Sequence, residues 1–283
     1  MKRSDFRFAD PLRVRWAEVD MQQVVFNAHY LMYVDTAMGA YWRALALPYE
    51  ATLAALAGDL FVRKATLEYA APARYDDVLA VGIRFAAAGT SSLRFVAAVF
   101  RGEDLLVHGE LVYVWTDATT KRPLPVPAAL LDALRAYEAG AEMITVEVGA
   151  WDVLGSEAQA LRTAVFVDEQ GVPMALERDA EDAAAVHALA RNRLGLAVGT
   201  GRLVAGAPAR IGRMAVRRDL RGSGVGRRVL DALAAAAGAR GDAEVMLHAQ
   251  VSALAFYRRA GFVAHGAEFE EAGIAHQEMR RRP

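Results

Sequence analysis

The chain has 283 residues, enough for two domains that each bury a core of their own. Its 33 lysines and arginines against 34 aspartates and glutamates leave a net charge of −1, which argues against general nucleic-acid binding but allows a local anion site. The absence of cysteine excludes disulfides, thiolate nucleophiles and thiolate metal sites. With no signal-peptide pattern and no apolar run of about 18 residues, we expect a cytoplasmic protein without a membrane partner.

The first half predicts a short strand, a long helix and then four strands. The first extended stretch is Leu12–Ala17; after a loop at Asp20–Asn27, a helix runs to about Leu47, where Pro48 stops it. Polar side chains are scarce on every face of this helix, so we expect it to be buried nearly all round. The strand candidates are Phe61–Tyr69, Val78–Ala87, Leu93–Phe100 and Leu106–Thr116. A central apolar helix wrapped by an antiparallel sheet is the most economical packing of these elements.

A proline-containing segment separates the two halves. Residues 117–145 contain three prolines, then a short helical pattern and a polar joint with a glycine. Such residues interrupt regular structure and are typical of connections between domains. We therefore predict one domain over residues 1–141 and a second over residues 142–283.

The second half alternates strands and helices and predicts a mixed α/β domain. It opens with a strand at Ile144–Val148 and a helix at Val153–Val167. A later helix begins at Val225 and carries Val229 and Leu233 on the same face. The remaining elements are strands at Val186–Arg191, Leu196–Leu203, Arg210–Val216, Glu244–Ala249, Phe262–Phe269 and Ala275–Arg280, and a helix at Ser252–Arg259.

The loop VRRDLRGSGVG joins the strand ending at Val216 to the helix that begins at Val225. Its glycines are Gly222, Gly224 and Gly226, and its arginines are Arg217, Arg218 and Arg221. Glycines let the backbone approach a ligand, and the first N–H groups and the dipole of the helix attract an anion. Arg227 stands where a dinucleotide-binding loop needs a glycine, and the Gly-Lys-Ser/Thr of an NTP-binding loop is absent. We predict a pyrophosphate that is bound but not cleaved; the alternative is a tight turn with solvated arginines.

Two motifs of this half resemble those of the GNAT N-acyltransferases. Arg221-x-x-Gly224-x-Gly226 matches their coenzyme A loop, and Phe256-Tyr257-x-x-x-Gly261-Phe262 matches their later tyrosine motif. The segments VFVDEQGVPMALERD and LHAQ point to a bacterial branch of that family. The resemblance spans about residues 144–280.

This resemblance implies an enzyme that transfers an acetyl or acyl group from coenzyme A to an amine. Main-chain groups of Met214 and Val216 would bind pantetheine, and Tyr257 would protonate the departing thiolate. Gln250 keeps an amide where many relatives have asparagine, so it is also expected to contact the coenzyme. The residues expected to hold the pyrophosphate are Arg221, Gly222, Ser223, Gly224, Val225 and Gly226.

The chemistry also needs a base for the amine. Amine attack on a thioester develops an oxyanion and then a thiolate, which a strand-edge amide and a hydroxyl donor can stabilise. Glu169, Glu177 and His248 are candidates for the base, although lone polar residues are more often structural or solvated. The sequence leaves the base unassigned.

The first half resembles the hot-dog acyl-CoA thioesterases of the 4-hydroxybenzoyl-CoA type. The stretches VRWAEVDMQQVVFNAHYLMYVDTA and ATLEYAAPARYDDVLAV carry the likeness, which covers about residues 10–137. It implies that Asp20 attacks the thioester or activates water, and that the backbone N–H of Asn27 forms the oxyanion hole. A carboxylate beside a helix N-terminus suits this chemistry, because the helix N–H groups stabilise the oxyanion. Alternatively, Asp20 caps the helix or ends a turn.

Together the resemblances predict an α+β hot-dog domain followed by a mixed α/β GNAT domain. The expected function is hydrolysis of acyl-CoA thioesters by the first domain and acetyl transfer to an amine by the second. Coenzyme A or acetyl-CoA is the shared substrate, and no metal is expected, since His29 and His108 lack the spacing of metal ligands. Sheet edges left open by a single hot-dog domain predict a homodimer or homotetramer.

A rival interpretation is an acyl-CoA-binding regulatory or scaffold protein in which one or both domains are inactive. The first domain has Gln23 where the family commonly has glycine, and Asn27 where it often has histidine. These departures favour the rival, whereas Asp20, Gly224 and Tyr257 favour catalysis.

Overall fold

The computed structural model describes all 283 residues, which divide into two compact units, Met1–Met143 and Ile144–Pro283. The elements of the first unit are β1 (Phe8–Arg13), α1 (Asn27–Ala44), α2 (Tyr49–Ala55), β2 (Gly58–Tyr69), β3 (Val78–Ala88), β4 (Ser92–Arg101), β5 (Asp104–Asp117) and α3 (Ala128–Glu138). Its five strands form one antiparallel sheet in the order β1-β3-β4-β5-β2. The predicted arrangement of one long helix against an antiparallel sheet is confirmed.

Helix α1 packs against β1, β3 and β4 with one face only. Its buried residues include Tyr30, Val34, Ala37, Met38, Tyr41 and Trp42. The opposite face is open, with Leu31 41% and Met32 47% exposed. The expectation that this helix is buried nearly all round is therefore wrong for the single chain, because one sheet covers one side of a helix.

Two predicted boundaries in the first unit also shift. The first strand lies at Phe8–Arg13 rather than Leu12–Ala17, because the chain leaves the sheet after Arg13 and forms a short 3-10 turn at Trp16–Glu18. Helix α1 ends at Ala44, short of Leu47, because Ala46 adopts a left-handed φ of +54° that no helix residue can have. Pro48 is the N-cap of α2 rather than the residue that stops α1.

The second unit is a mixed sheet with helices on it. Its elements are β6 (Ile144–Gly149), α4 (Trp151–Arg162), α5 (Met174–Glu177), β7 (Val186–Asn192), β8 (Ala197–Val204), β9 (Ala209–Val216), α6 (Val225–Arg240), β10 (Val245–Gln250), α7 (Leu254–Arg259), β11 (Val263–Glu271) and β12 (Ile274–Arg281). After α4 the chain continues as a wider π-type helix over Thr163–Glu169. The seven strands lie in the order β6-β7-β8-β9-β10-β12-β11. All neighbours are antiparallel except β9 and β10.

The parallel pair β9 and β10 separates soon after it begins. Ala209 pairs with Val245 and Arg210 with Met246, and no later pair exists. On its other side β9 carries a bulge, in which Arg213 has a φ of +51°. The sheet therefore opens into a wedge between the C-terminal halves of β9 and β10.

Helix α6 packs on the strands β6 to β9. Val225, Val229 and Leu233 are fully buried on its inner face, as the sequence predicts. A Cβ on Gly199 of β8 would lie 2.5 Å from Val225, so only glycine lets the helix approach this closely.

Candidate functional site

The loop before α6 presents a set of unpaired backbone N–H groups. Gly222 and Gly224 have φ of +84° and +91°, in the left-handed region that favours glycine. Their amides donate to no protein acceptor, and α6 begins directly after them at Val225. The first amides of that helix have no partner within it. Unpaired N–H groups at the start of a helix are suited to bind an anion without help from a side chain.

Arg221 is already engaged by a carboxylate. Its two Nη atoms lie 2.6 and 2.7 Å from the oxygens of Glu169, and its Nε donates to the carbonyl of Val216 at 3.2 Å. The hydrogen bonds from Arg221 hold the pKa of Glu169 below its usual range. Glu169 is therefore a weak base, and Arg221 braces the loop through Glu169 and Val216.

A cavity of about 400 Å³ fills the wedge between β9 and β10. Apolar and polar side chains share its wall: Phe166, Gln170, Val172, Leu176, Glu177, Arg202, Arg210, Ile211, Gly212, Arg213, Met214, Leu247, His248, Gln250, Ala253, Tyr257, Glu271, Ala272, Ile274 and His276. The structure thus brings Met214, Gln250 and Tyr257 to one cavity. Val216 is outside its wall, at the end of β9 beside the glycine loop.

Tyr257, on α7, is buried, and its hydroxyl has no hydrogen-bond partner in the protein. Burial raises the pKa of Tyr257 to about 12. The phenol therefore stays protonated at neutral pH and can act as a hydrogen-bond donor to a group in the cavity.

A buried ion-pair cluster holds residues 174–184 against the sheet. Asp182 lies 2.8 Å from Nη1 of Arg162 and 2.7 Å from Nη1 of Arg202, and both arginines are buried. Arg202 also binds Asp179, at 2.6 Å. Glu177 is buried in the same cluster and accepts from Arg162, so this candidate base is a structural anion.

Four residues of the cavity wall could not be recognised from the sequence. Arg210, Arg213, Glu271 and His276 line the cavity without belonging to a recognised motif. For Arg210 and Arg213 on β9 there is a physical reason. The bulge at Arg213 breaks the regular alternation of side chains between the two faces of the sheet, so alternation along the strand could not predict which residues face the cavity.

In the first unit, Asp20 lies in a tight turn before α1. Its Oδ1 accepts the backbone N–H of Gln22 at 2.7 Å, and its own N–H donates to Val24 at 2.9 Å. Gln23 sits in this turn with a φ of +59°. That conformation favours glycine and gives a physical reason for the residue type the resemblance implies there. The carboxylate keeps its Oδ2 free.

Asn27 is the first residue of α1, and its N–H donates to no protein acceptor. The loop that leads to it is held at both ends. Tyr33 donates to the buried Glu18 at 2.7 Å, and Val25 bonds to Ala73 at 2.9 Å. Asp20 and the Asn27 amide thus flank one short, anchored loop.

Neither unit presents a recognisable metal centre: no group of three or more His, Asp or Glu side chains is close enough to hold an ion. No helix of the protein has both the length and the apolar character needed to cross a bilayer.

Comparison with known proteins assigns each half to a family. The family model described as acetyltransferase (GNAT) domain matches residues 152–283, and that of the thioesterase-like superfamily matches residues 14–134. The putative acetyltransferase BSU40680 of Bacillus subtilis strain 168 is 33% identical over 125 residues, which cover 43% of this chain and 84% of that protein. The chain belongs to the GNAT family.

Its first half is a thioesterase-like domain. The acyl-CoA thioester hydrolase YbgC of Escherichia coli O157:H7 is 29% identical over 125 residues, covering 44% of this chain and 92% of YbgC. A solved structure is similar to the chain as well. It is a putative N-acetyltransferase from Lactobacillus plantarum, 29% identical with a TM-score of 0.47, and the match covers 50% of this chain and 99% of that protein. The GNAT motifs lie within residues 152–283, which the acetyltransferase model matches. The Asp20 loop lies within residues 14–134, which the thioesterase-like model matches.

Proposed function

We propose that the protein is a bifunctional enzyme of coenzyme A thioesters. The thioesterase-like domain hydrolyses an acyl-CoA, and the GNAT domain transfers an acetyl group from acetyl-CoA to an amine. The observation that carries this proposal is the GNAT cavity, whose wall includes Tyr257 and Met214 of β9, the strand that leads into the loop with unpaired amides. An acyl donor with a pyrophosphate at one end and a thioester at the other suits such a site.

In the GNAT domain the coenzyme would lie along the open edge of β9. Beyond Arg210 this edge has no strand partner, so main-chain groups near Met214 and Val216 can bind the amides of pantetheine. The amides of Gly222 and Gly224 and the start of α6 would hold the pyrophosphate. Tyr257 would donate a hydrogen bond to the sulfur as the carbon–sulfur bond breaks.

In the thioesterase-like domain, the free Oδ2 of Asp20 would attack the thioester carbonyl or activate a water. The unpaired N–H of Asn27 would stabilise the oxyanion, assisted by the dipole of α1. The bond from Gln22 to Oδ1 fixes the orientation of the carboxylate without blocking it.

We also propose that the thioesterase-like domain assembles into a homodimer or homotetramer. Strand β2 lies at the edge of its sheet and is 12 residues long, with Phe61 45% and Val62 50% exposed. A long unpaired edge of this kind can pair with a strand of another chain. The open face of α1 at Leu31 and Met32 adds further uncovered apolar surface.

The competing function is binding of acyl-CoA without turnover, and one observation favours it. Asp20 already accepts a hydrogen bond within its own turn, as a purely structural aspartate would. Release of free thiol from a panel of acyl-CoA esters, measured with and without an amine, distinguishes the two. Amine-independent release supports the hydrolase, amine-dependent release supports the transferase, and tight binding with neither leaves only a binding protein.

A further inference from the structure

His248 stands in the cavity beside a carboxylate. It lies on β10 beyond the point where this strand leaves β9, and its Nδ1 is 3.2 Å from Oε2 of Glu271. The ring of Phe269 packs edge-on against it, with 4.8 Å between the ring centroids. His248, Glu271 and Tyr257 all line the same cavity.

A carboxylate at Nδ1 fixes the tautomer of an imidazole. The Nδ1–H donates to Glu271, which leaves the lone pair of Nε2 free to take a proton. Nε2 of His248 has no partner in the protein. The pair therefore has the arrangement of an oriented general base.

The other cavity bases are less suitable. His276 is buried, its Nδ1 faces the carbonyl of Ile274 at 2.8 Å, and no carboxylate supports it. Glu177 is tied to Arg162, and Glu169 is tied to Arg221. His248 alone combines a free basic atom with a supporting anion.

We propose that His248, oriented by Glu271, removes a proton from the acceptor ammonium and thereby selects amines of low basicity. This inference rests on the proposed acetyl transfer. Once deprotonated, the amine nitrogen bonds to the acetyl carbon and the carbon–sulfur bond breaks. Of the two protons that the ammonium loses, one passes through His248 to solvent. The other replaces the proton that Tyr257 gives to the thiolate.

The proton that must be removed indicates the class of acceptor. The α-amino group of a peptide titrates at about 7.7–8.0 and a lysine-type amine at about 10.4. Proton removal by a base in the cavity is thus far less unfavourable from an α-ammonium than from an alkylammonium. The cavity is expected to acetylate α-amino groups in preference to alkylamines.

Other charges around His248 belong to defined pairs. Glu278 lies directly across from it on β12 and pairs with Arg280 and His265. The remaining titratable groups of the cavity wall are Glu177, Arg202, Arg210, Arg213, Tyr257, Glu271 and His276. Glu271 is the carboxylate in contact with the ring, so its removal should weaken the base without removing it.

The experiment measures acetylation of glycinamide, which carries an α-amine, and of n-propylamine, an alkylamine of similar size, by acetyl-CoA. At pH 7 the wild-type protein should prefer glycinamide. His248→Gln should lower kcat about a hundredfold with little change in KM, and Glu271→Gln about tenfold. The loss in His248→Gln should shrink above the pKa of the amine, because the amine then arrives without its proton. The matched control is His265→Gln, another histidine that faces a glutamate, outside the cavity and more exposed; it should leave the rate unchanged.

If the role of His248 were purely structural, His248→Gln would slow the acetylation of glycinamide by the same factor at pH 7 and at pH 10. That result overturns the proposal. So does equal or faster turnover of n-propylamine, or no turnover of either amine by a wild-type protein that binds acetyl-CoA. If the wild-type protein fails to bind acetyl-CoA in calorimetry, the proposed acetyl transfer itself is wrong.

Discussion

Tyr257 allows binding of acetyl-CoA and acetyl transfer to be tested separately, because it lines the cavity and its hydroxyl bonds to no other protein group. Tyr257→Phe removes only that hydroxyl, so acetyl-CoA affinity in calorimetry should barely change. Acetyl transfer in a steady-state assay should slow about a hundredfold. Since the pKa of Tyr257 is raised to about 12, its ionisation should cause no fall in wild-type rate below about pH 11. An equal loss of affinity and rate would instead assign the hydroxyl to coenzyme binding.

Asp20 offers a similar test in the thioesterase-like domain. In Asp20→Asn, an amide oxygen can still accept from Gln22, so folding should survive. Loss of the carboxylate should lower thioester hydrolysis about a hundredfold or more, while the GNAT domain keeps its affinity for acetyl-CoA. Asp104→Asn, in an exposed hairpin, is the control. Hydrolysis at the wild-type rate in Asp20→Asn would remove this residue from the mechanism.

Gln23 carries a backbone strain that can be measured. A left-handed φ costs a non-glycine residue about 1–2 kcal/mol, and glycine avoids this cost. Glycine also loses more conformational entropy on folding, which cancels part of the gain. Gln23→Gly should therefore raise the free energy of unfolding by about 0.5–1 kcal/mol in urea titration. Gln22→Gly, at a position without a positive φ, should lower it. If both changes act in the same direction, the turn differs from the one described.

Substitutions in the glycine loop before α6 test the proposed anion site. Gly224 has a φ of +91° and open space around it, so Gly224→Val strains the loop and fills the expected phosphate position. Acetyl-CoA affinity in calorimetry should collapse, and Gly224→Ala should lose less. Glu169→Gln should raise affinity, because it frees Arg221 and removes a negative charge near the phosphates. Unchanged affinity in Gly224→Val would make the loop a simple turn.

The ion-pair cluster that holds residues 174–184 against the sheet should contribute measurably to stability. Asp182→Ala removes the anion that the buried Arg162 and Arg202 share, although each arginine keeps another carboxylate, and should cost about 1.5–3 kcal/mol of unfolding free energy. Asp231→Ala, which breaks an exposed pair on α6, should cost less than about 1 kcal/mol. Comparable losses in denaturant titration would show that the cluster is solvated.

The same cluster predicts the response of the GNAT domain to acid. Burial opposes ionisation of Asp179 and Asp182, but the arginines outweigh it and lower both pKa values. Each carboxylate therefore stabilises the fold fully above the unfolded pKa of about 3.9 and loses that contribution as the pH falls below it. Thermal unfolding should show stability falling below about pH 4 in the wild-type protein, and falling less in Asp182→Ala.

For the whole molecule, the prediction concerns assembly. Light scattering at micromolar concentration should show a dimer or larger species, because β2 leaves a long edge of the sheet unpaired. Val62→Lys places a charge on that edge and should give a monomer. The matched control Val263→Lys changes an exposed valine on β11, an edge strand of the other unit, and should leave the assembly intact. A wild-type monomer would contradict the proposed interface.

Local patterns in the sequence determined most of the fold and both family assignments. Strands β2 to β5, the start of α6 and its buried stripe follow from apolar periodicity, which short-range sterics translate directly into helices and strands. The glycine loop and the tyrosine motif could be recognised because a backbone anion site requires glycine at particular positions.

Tertiary structure decided what depends on contacts between distant residues. Arg221 and Glu169 are 52 residues apart, and only folding shows that the expected phosphate ligand is held by a carboxylate. His248 and Glu271 meet because β10, β12 and β11 lie side by side, a pairing that no local pattern encodes. The open face of α1 has the same origin, since burial depends on what the rest of the chain leaves to cover a helix, and not on how apolar the helix is.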